Sequence, residues 1–277
     1  MKLVTFYDHA AELAAQQGIS TVQALQTIRA LGIEAVEVSS SNFRDRKQEL
    51  KAELDAAGLQ VSSICAYLDF VHGEDQEEAI RTLDAAQYLG AAYVLVIPGF
   101  HGKDDTPEMR ERQVRTMLAA MEKFRQMAVR RDICLMIEDY DDALSPVATI
   151  AGMQRVFQNV PGVGCAFDTG NFLFSEEDER QAFEELKDFI VYVHLKDRRL
   201  TVPDAPRKAK QTVKGREMFP SPLGQGVIRM GEIIQALQKS DYDGVYTIEH
   251  YGAPDQLLYL TQSVRWLKEQ LGREDVL

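Results

Sequence analysis

The sequence predicts an α/β protein organised as a single (β/α)8 barrel, and three observations carry that expectation. Eight short apolar runs of strand length alternate with segments of helical periodicity along the whole chain, and strict alternation with short connections implies a parallel sheet. The chain has 277 residues, which suits one barrel of roughly 250 residues. No GxGxxG or Walker-type loop follows the first run, so an open, nucleotide-binding sheet lacks its signature.

Taken in order, the strands are expected at 3–7, 35–39, 61–67, 93–97, 133–138, 163–168, 190–195 and 245–249. The helices are expected at 21–31, 47–57, 76–89, 107–130, 146–157, 177–189, 230–238 and 254–271. Gly32, Gly58 and Gly90 close three of them, in ALGIE, AAGLQ and YLGAA, where a left-handed cap leads directly into the next strand. One connection breaks the rhythm. After the seventh strand, a stretch at about 197–229 is rich in Pro, Gly and basic residues where a short loop would suffice. With Lys196 just before it, this region carries Arg198, Arg199, Arg207, Lys208, Lys210, Lys214, Arg216 and Arg229 against Asp197, Asp204 and Glu217. It reads either as a lid that draws an anionic or polyhydroxylated substrate over the strand ends, with Arg198 meeting that substrate, or as a solvated surface loop. Residues 1–277 are expected to form one domain.

A hydrophobic content of 45% suits an ordinary globular core. The formal net charge of -12 argues against nucleic-acid and anionic-membrane partners, which most of the surface would repel. A small-molecule substrate is the partner class that remains, and a homo-oligomer is left open. The N-terminus lacks a long apolar region and a cleavage site, and no run approaches the length of a membrane span. Cys65, Cys134 and Cys165 lie in apolar runs without a CxxC pair, so buried reduced thiols and a cytoplasmic location are expected.

The chemistry concentrates at strand ends. Glu138, Asp168, His194 and Glu249 each close or follow an apolar run, in CLMIEDY, FDTGN, HLKD and VYTIEHYG. The first three recur at about the 30-residue period of a βαβ unit, and Glu249 follows about two periods later. In a closed barrel these side chains converge on one mouth as a mixed oxygen and nitrogen site for a divalent metal. A single carboxylate after a strand is ordinarily a helix N-cap or a loop charge. Four in register are far harder to place by chance.

These motifs, with the LGQG turn at 223–226 and YDGVYTIEH, resemble the sugar phosphate isomerases and epimerases of the xylose-isomerase-like TIM-barrel superfamily. The resemblance implies that Glu138, Asp168, His194 and Glu249 bind one metal ion, Mn²⁺ first, with Mg²⁺, Co²⁺ or Zn²⁺ in some members. Glu37, in LGIEAVEVSS, resembles a common strand-2 position and is expected near the substrate. His72 and His101 follow strands 3 and 4 and are candidates to reach the mouth. Ketose 3-epimerases carry a histidine three residues after the Asp and an arginine six after the His; here Asn171 and Leu200 stand there. Asn171 also replaces a histidine that the three-zinc endonuclease branch needs.

The activity implied is a metal-dependent isomerase or epimerase of a small sugar or sugar derivative, acting through a metal-stabilised enediolate. Glu138 and Glu249 are the expected proton-transfer pair, and Lys196, on the strand face of His194, would bond a substrate oxygen. The same chemistry serves a lyase acting by β-elimination, and a hydrolase on this scaffold is the further alternative. A non-enzymatic, ligand-binding barrel is the third reading.

Overall fold

The computed structural model of the chain describes residues 1–73, 75–201 and 209–272. In chain order its elements are β1 (Lys2–Phe6), α1 (Tyr7–Gln17), α2 (Thr21–Ala30), β2 (Ala35–Ser39), α3 (Ser40–Phe43), α4 (Lys47–Ala57), β3 (Gln60–Tyr67), α5 (Gln76–Leu89), β4 (Tyr93–Ile97) and α6 (Pro107–Val129). There follow β5 (Cys134–Ile137), α7 (Ile150–Asn159), β6 (Gly164–Asp168), α8 (Glu179–Leu186), β7 (Ile190–Arg199), β8 (Lys210–Gln211), β9 (Glu217–Ser221), α9 (Met230–Lys239), β10 (Val245–Glu249) and α10 (Gln256–Gln270). Strands β1 to β7 lie side by side in sequence order, all parallel. β10 pairs with both β7 and β1 and closes the barrel. This is the (β/α)8 barrel that the alternation predicts.

Because successive strand residues point to opposite faces, each strand serves two cores. Val36 and Val38 of β2 pack into the large apolar layer shared with the helices, whereas Ala35 joins a second cluster. That cluster takes residues from all eight barrel strands, among them Val4, Cys65, Leu95, Met136, Ala166, Tyr192 and Val245. It fills the barrel interior, so polar side chains further along the same strands collect on a solid apolar floor.

Several boundaries move from their expected places for identifiable reasons. Helices α7, α8 and α10 begin after Thr149, Asp178 and Asp255, whose side chains accept backbone N–H groups of the first turn. α1 is an addition. Its Tyr7, Ala10, Leu13 and Ala14 are buried at helical spacing and Gly18 closes it at φ 65°, but no side-chain cap separates it from β1. The long connection is not structureless. β7 continues to Arg199 and pairs antiparallel with β9, and β8 pairs with β9 in turn. Asp204, Arg207 and Lys208 lie outside the described residues. Cys65 and Cys165 are buried free thiols, whereas Cys134, at the start of β5, is partly exposed, which corrects the expectation for that residue. No helix among the described residues is long and apolar enough to cross a membrane.

Candidate metal centre

Asp168 is the last residue of β6 and faces His194 in the β6–β7 register. Its Oδ1 accepts the backbone N–H groups of Gly170 (2.7 Å) and Asn171 (2.9 Å), which fixes the carboxylate, while Oδ2 is buried without a hydrogen-bond partner. The rest of FDTGN locks β6 to β7. Thr169 Oγ1 donates to the Lys196 carbonyl (3.1 Å) and accepts from the Lys196 N–H (2.9 Å). A Cβ at position 170 would collide with the Lys196 carbonyl, so glycine is needed there. Asn171 donates to the Asp139 carbonyl (2.8 Å) and accepts from Lys196 Nζ (2.9 Å).

His194 is fully buried on β7, with Phe6 and Tyr192 edge-on to its ring at centroid distances of 5.3 and 5.5 Å. Nδ1 stands 2.9 Å from Glu138 Oε2 and 3.7 Å from Glu249 Oε2. Nε2 stands 3.2 Å from Glu37 Oε2. Burial pulls the imidazole pKa down, but Glu37 and Glu138 outweigh it and hold the group well above its ordinary value. Glu138 and Asp168 are pushed up, first by burial; the Asp168 charge adds to the rise at Glu138, and the Glu249 charge adds to the rise at Asp168. Lys196 lies between Asp168 Oδ2 (3.3 Å) and Glu249, and although burial opposes its charge, these carboxylates and Asp141 raise its pKa, so it stays an ammonium.

Glu138, Asp168, His194 and Glu249 each offer a ligand atom, and these atoms all lie within 4.8 Å of one another. Carboxylates this close in a desolvated site repel unless a positive charge joins them, and Asp168 Oδ2 retains an unused lone pair. The donor set therefore fits a divalent cation.

Above the cluster a cavity of about 400 Å³ opens, lined by Glu138, Asn171, Lys196 and Glu249 below and by Tyr67, Tyr140, Arg198, Lys210 and residues 218–220 of β9 at its rim. Arg198 Nη2 donates to Asp141 Oδ2 (3.0 Å), and Lys210 Nζ reaches Asp141 Oδ1 (2.6 Å). Burial would raise the Asp141 pKa, but Lys196, Arg198 and Lys210 outweigh it and hold the carboxyl below its usual range. Asp197 secures the return of the insertion by accepting from the N–H groups of Gly226 (2.8 Å) and Ile228 (3.3 Å), which explains the LGQG turn.

Of the residues expected to meet substrate, Asn171 and Arg198 line this cavity. The other three are placed elsewhere. Glu37 lies beneath His194, fully buried. His72 pairs with Asp69 (2.9 Å) on the surface, and His101 is buried against Gln113 (2.6 Å). Neither histidine lines the cavity, because each loop turns its ring to a local partner. Asp141, Tyr67 and Tyr140 were not foreseen, whereas Lys210 belongs to the basic stretch expected over the strand ends. The only signal for Asp141 was the acidic run EDYDD after strand 5. Asp139 of that run is also buried, with both carboxylate oxygens unbonded and its pKa raised by burial and by Asp168 and Glu138.

The family model described as xylose isomerase-like TIM barrel matches residues 25–270. The chain is 28% identical over 245 residues to an inosose dehydratase of Lacticaseibacillus casei, which covers 82% of this chain and 80% of that protein. Among solved structures it is similar to D-allulose 3-epimerase from Methylomonas sp. in complex with D-allulose, with a TM-score of 0.73, 14% identity, and 98% and 97% of the two chains covered. It is also similar to a xylose isomerase-like TIM barrel protein from Mycobacterium smegmatis in complex with magnesium, with a TM-score of 0.68, 20% identity, and 90% and 87% covered. The chain belongs to the xylose isomerase-like TIM barrel family.

Proposed function

We propose that this member of the family is a divalent-metal-dependent enzyme that removes a proton beside the carbonyl of a small polyhydroxylated substrate, with elimination of water as its first assigned outcome. The observation that carries the reading is the convergence of Glu138, Asp168, His194 and Glu249, two of which, Glu138 and Glu249, line a cavity of about 400 Å³. Support for dehydration comes from the inosose dehydratase relative. The original expectation, isomerisation or epimerisation, stands as the second reading. It is favoured by the placement of two carboxylates, Glu138 and Glu249, around the same ring nitrogen, since a second group can return the proton.

A divalent cation held by these four groups, Mn²⁺ or Mg²⁺ before Co²⁺ or Zn²⁺, supplies Lewis acidity toward a carbonyl oxygen and its neighbouring hydroxyl. Glu249 takes the proton from carbon with one carboxylate oxygen. The electron pair of that C–H bond forms the C=C bond, the C–O bond beyond it breaks, and the proton leaves with the hydroxyl as water. Lys196, paired with Asp168 and Glu249, donates a hydrogen bond to a substrate oxygen. Tyr67 and Tyr140, joined through their hydroxyls at 3.1 Å, form one wall of the cavity.

The test offers the metal-loaded protein an inosose and, separately, a ketohexose in D₂O. Loss of one water by mass spectrometry identifies the lyase, and deuterium uptake beside the carbonyl without that loss identifies the isomerase or epimerase. Failure of both, or turnover that survives chelation, sinks the proposal.

A further inference from the structure

We infer that Glu37 is the positioning residue of the metal centre: it binds the Nε2–H of His194 and so leaves Nδ1 as the lone-pair nitrogen facing Glu138, Asp168 and Glu249. The inference rests on the metal-site reading above.

Strand β2 reads Ala35, Val36, Glu37, Val38, Ser39, and its valines pack outward toward the helices. Alternation turns Glu37 inward with Ala35, which lies in the apolar cluster of the barrel interior. Another small apolar residue would continue that cluster. Instead a carboxylate is buried at 0% exposure, with Oε2 on His194 Nε2 at 3.2 Å and Oε1 without any hydrogen-bond partner. A buried carboxylate spent on one contact calls for an explanation, and the geometry of the imidazole supplies it.

A neutral imidazole carries one proton, and a carboxylate only accepts. Each ring nitrogen faces a carboxylate, Nδ1 at 2.9 Å from Glu138 and Nε2 at 3.2 Å from Glu37, so a cation among Glu138, Asp168 and Glu249 would replace the proton on Nδ1, and the one that stays is the proton Glu37 holds on Nε2. The opposite tautomer would set two lone pairs against each other in a site without solvent and would aim an N–H at the cation position. Phe6 and Tyr192 pack against the ring and hold its plane, but an edge contact does not distinguish the ring from its flipped form. Glu37 supplies that distinction, because only one orientation brings Nε2 to its carboxylate. A carboxylate behind a ligand histidine also raises the donor strength of the nitrogen in front.

The wild-type protein loaded with Mg²⁺ or Zn²⁺ provides a test that needs no variant. Long-range ¹H–¹⁵N correlation spectra are expected to show His194 protonated at Nε2, with a downfield proton resonance typical of a carboxylate acceptor. Glu37→Gln keeps the volume and should shift that resonance upfield, and Glu37→Leu should abolish the bond. Both should weaken Mn²⁺ binding by about 10–100-fold in calorimetric titration, Leu more than Gln. A proton on Nδ1 in the loaded wild type overturns the inference, as does unchanged Mn²⁺ affinity in both folded variants. Asp168→Ala separates the two failures. If it binds Mn²⁺ like wild type, the metal site itself is wrong; if it loses Mn²⁺ while Glu37→Leu does not, only the role of Glu37 is wrong.

Discussion

The strand-end cluster and the rim above it are both built from charged side chains, yet they hold their charges in opposite ways. In the cluster, Asp168, His194 and Glu249 sit on barrel strands whose ladders set their spacing, and Glu138 follows directly on β5. At the rim, Asp141 lies in a loop and takes its partners from β7 and β8, two strands that also belong to the insertion. Closed-barrel pairing gathers three carboxylates around His194, with Lys196 pairing Asp168 and Glu249 from one side, and leaves the site between them for a divalent cation. The rim neutralises its own charge. The difference shows why a barrel can place chemistry on its strands and selectivity on its connections.

The largest expected effect breaks the comparison if it fails. Asp168→Ala removes the one cluster carboxylate with an unbonded buried oxygen, so metal content by elemental analysis should fall to near zero. Asp141→Asn, at the rim, should leave that content unchanged. Full occupancy in Asp168→Ala would mean that the two regions do not differ as described.

Glu249→Gln sharpens the picture within the cluster. The amide keeps the size and one ligand oxygen but loses the base, so kcat should fall by about 10²–10⁴ while most of the metal is retained. Near-normal turnover in a metal-loaded variant would leave Glu249 a ligand only and move the base to Glu138.

A smaller effect separates two adjacent arginines. Arg198 is buried on Asp141, whereas Arg199 is solvent-facing and bonds Gln225. Breaking a buried pair costs about 3–5 kcal/mol, but Lys210 remains on Asp141, so Arg198→Met should cost about 1–3 kcal/mol by urea denaturation. Arg199→Met should stay within about 0.5 kcal/mol. Arg198→Met should also raise KM more for an anionic substrate than for a neutral one. Equal behaviour of the two variants would reduce the rim to a surface loop.

What the sequence revealed divides along the same line. Asp168, His194 and Glu249 were readable because each closes an apolar run, and barrel closure then leaves them nowhere else to point. α1 escaped because its alanine-rich face follows β1 without a capping residue. The β8–β9 hairpin escaped because GREMFPSP has no strand alternation and is held by pairing with the extended β7. The partners of Glu37, Asp141 and Lys210 are tertiary facts, set by which strands close beside which. His72 and His101 follow strands as expected, but a position after a strand does not fix where a loop turns its ring, and these turn to Asp69 and Gln113.

The smallest expected effect concerns acid. Asp141 has its pKa held below the ordinary carboxylate range in the folded protein, so between the folded and unfolded values the unfolded chain binds more protons. Its contribution to stability is therefore complete above about pH 4, the unfolded value, and is lost as pH falls through the folded one. Glu138 and Asp168 are shifted upward and act with the opposite sign, so the stability of wild type alone would blur the effect. The difference between wild type and Asp141→Asn cancels them. That difference should be about 1 kcal/mol at neutral pH, since the amide keeps a hydrogen bond from the buried Arg198 and Lys210 is partly exposed and screened, and should shrink toward zero below about pH 4. A difference that stays constant through that range would show that Asp141 holds the rim by shape and neutral hydrogen bonds, and the rim would then resemble the cluster less in charge than its ion pairs suggest.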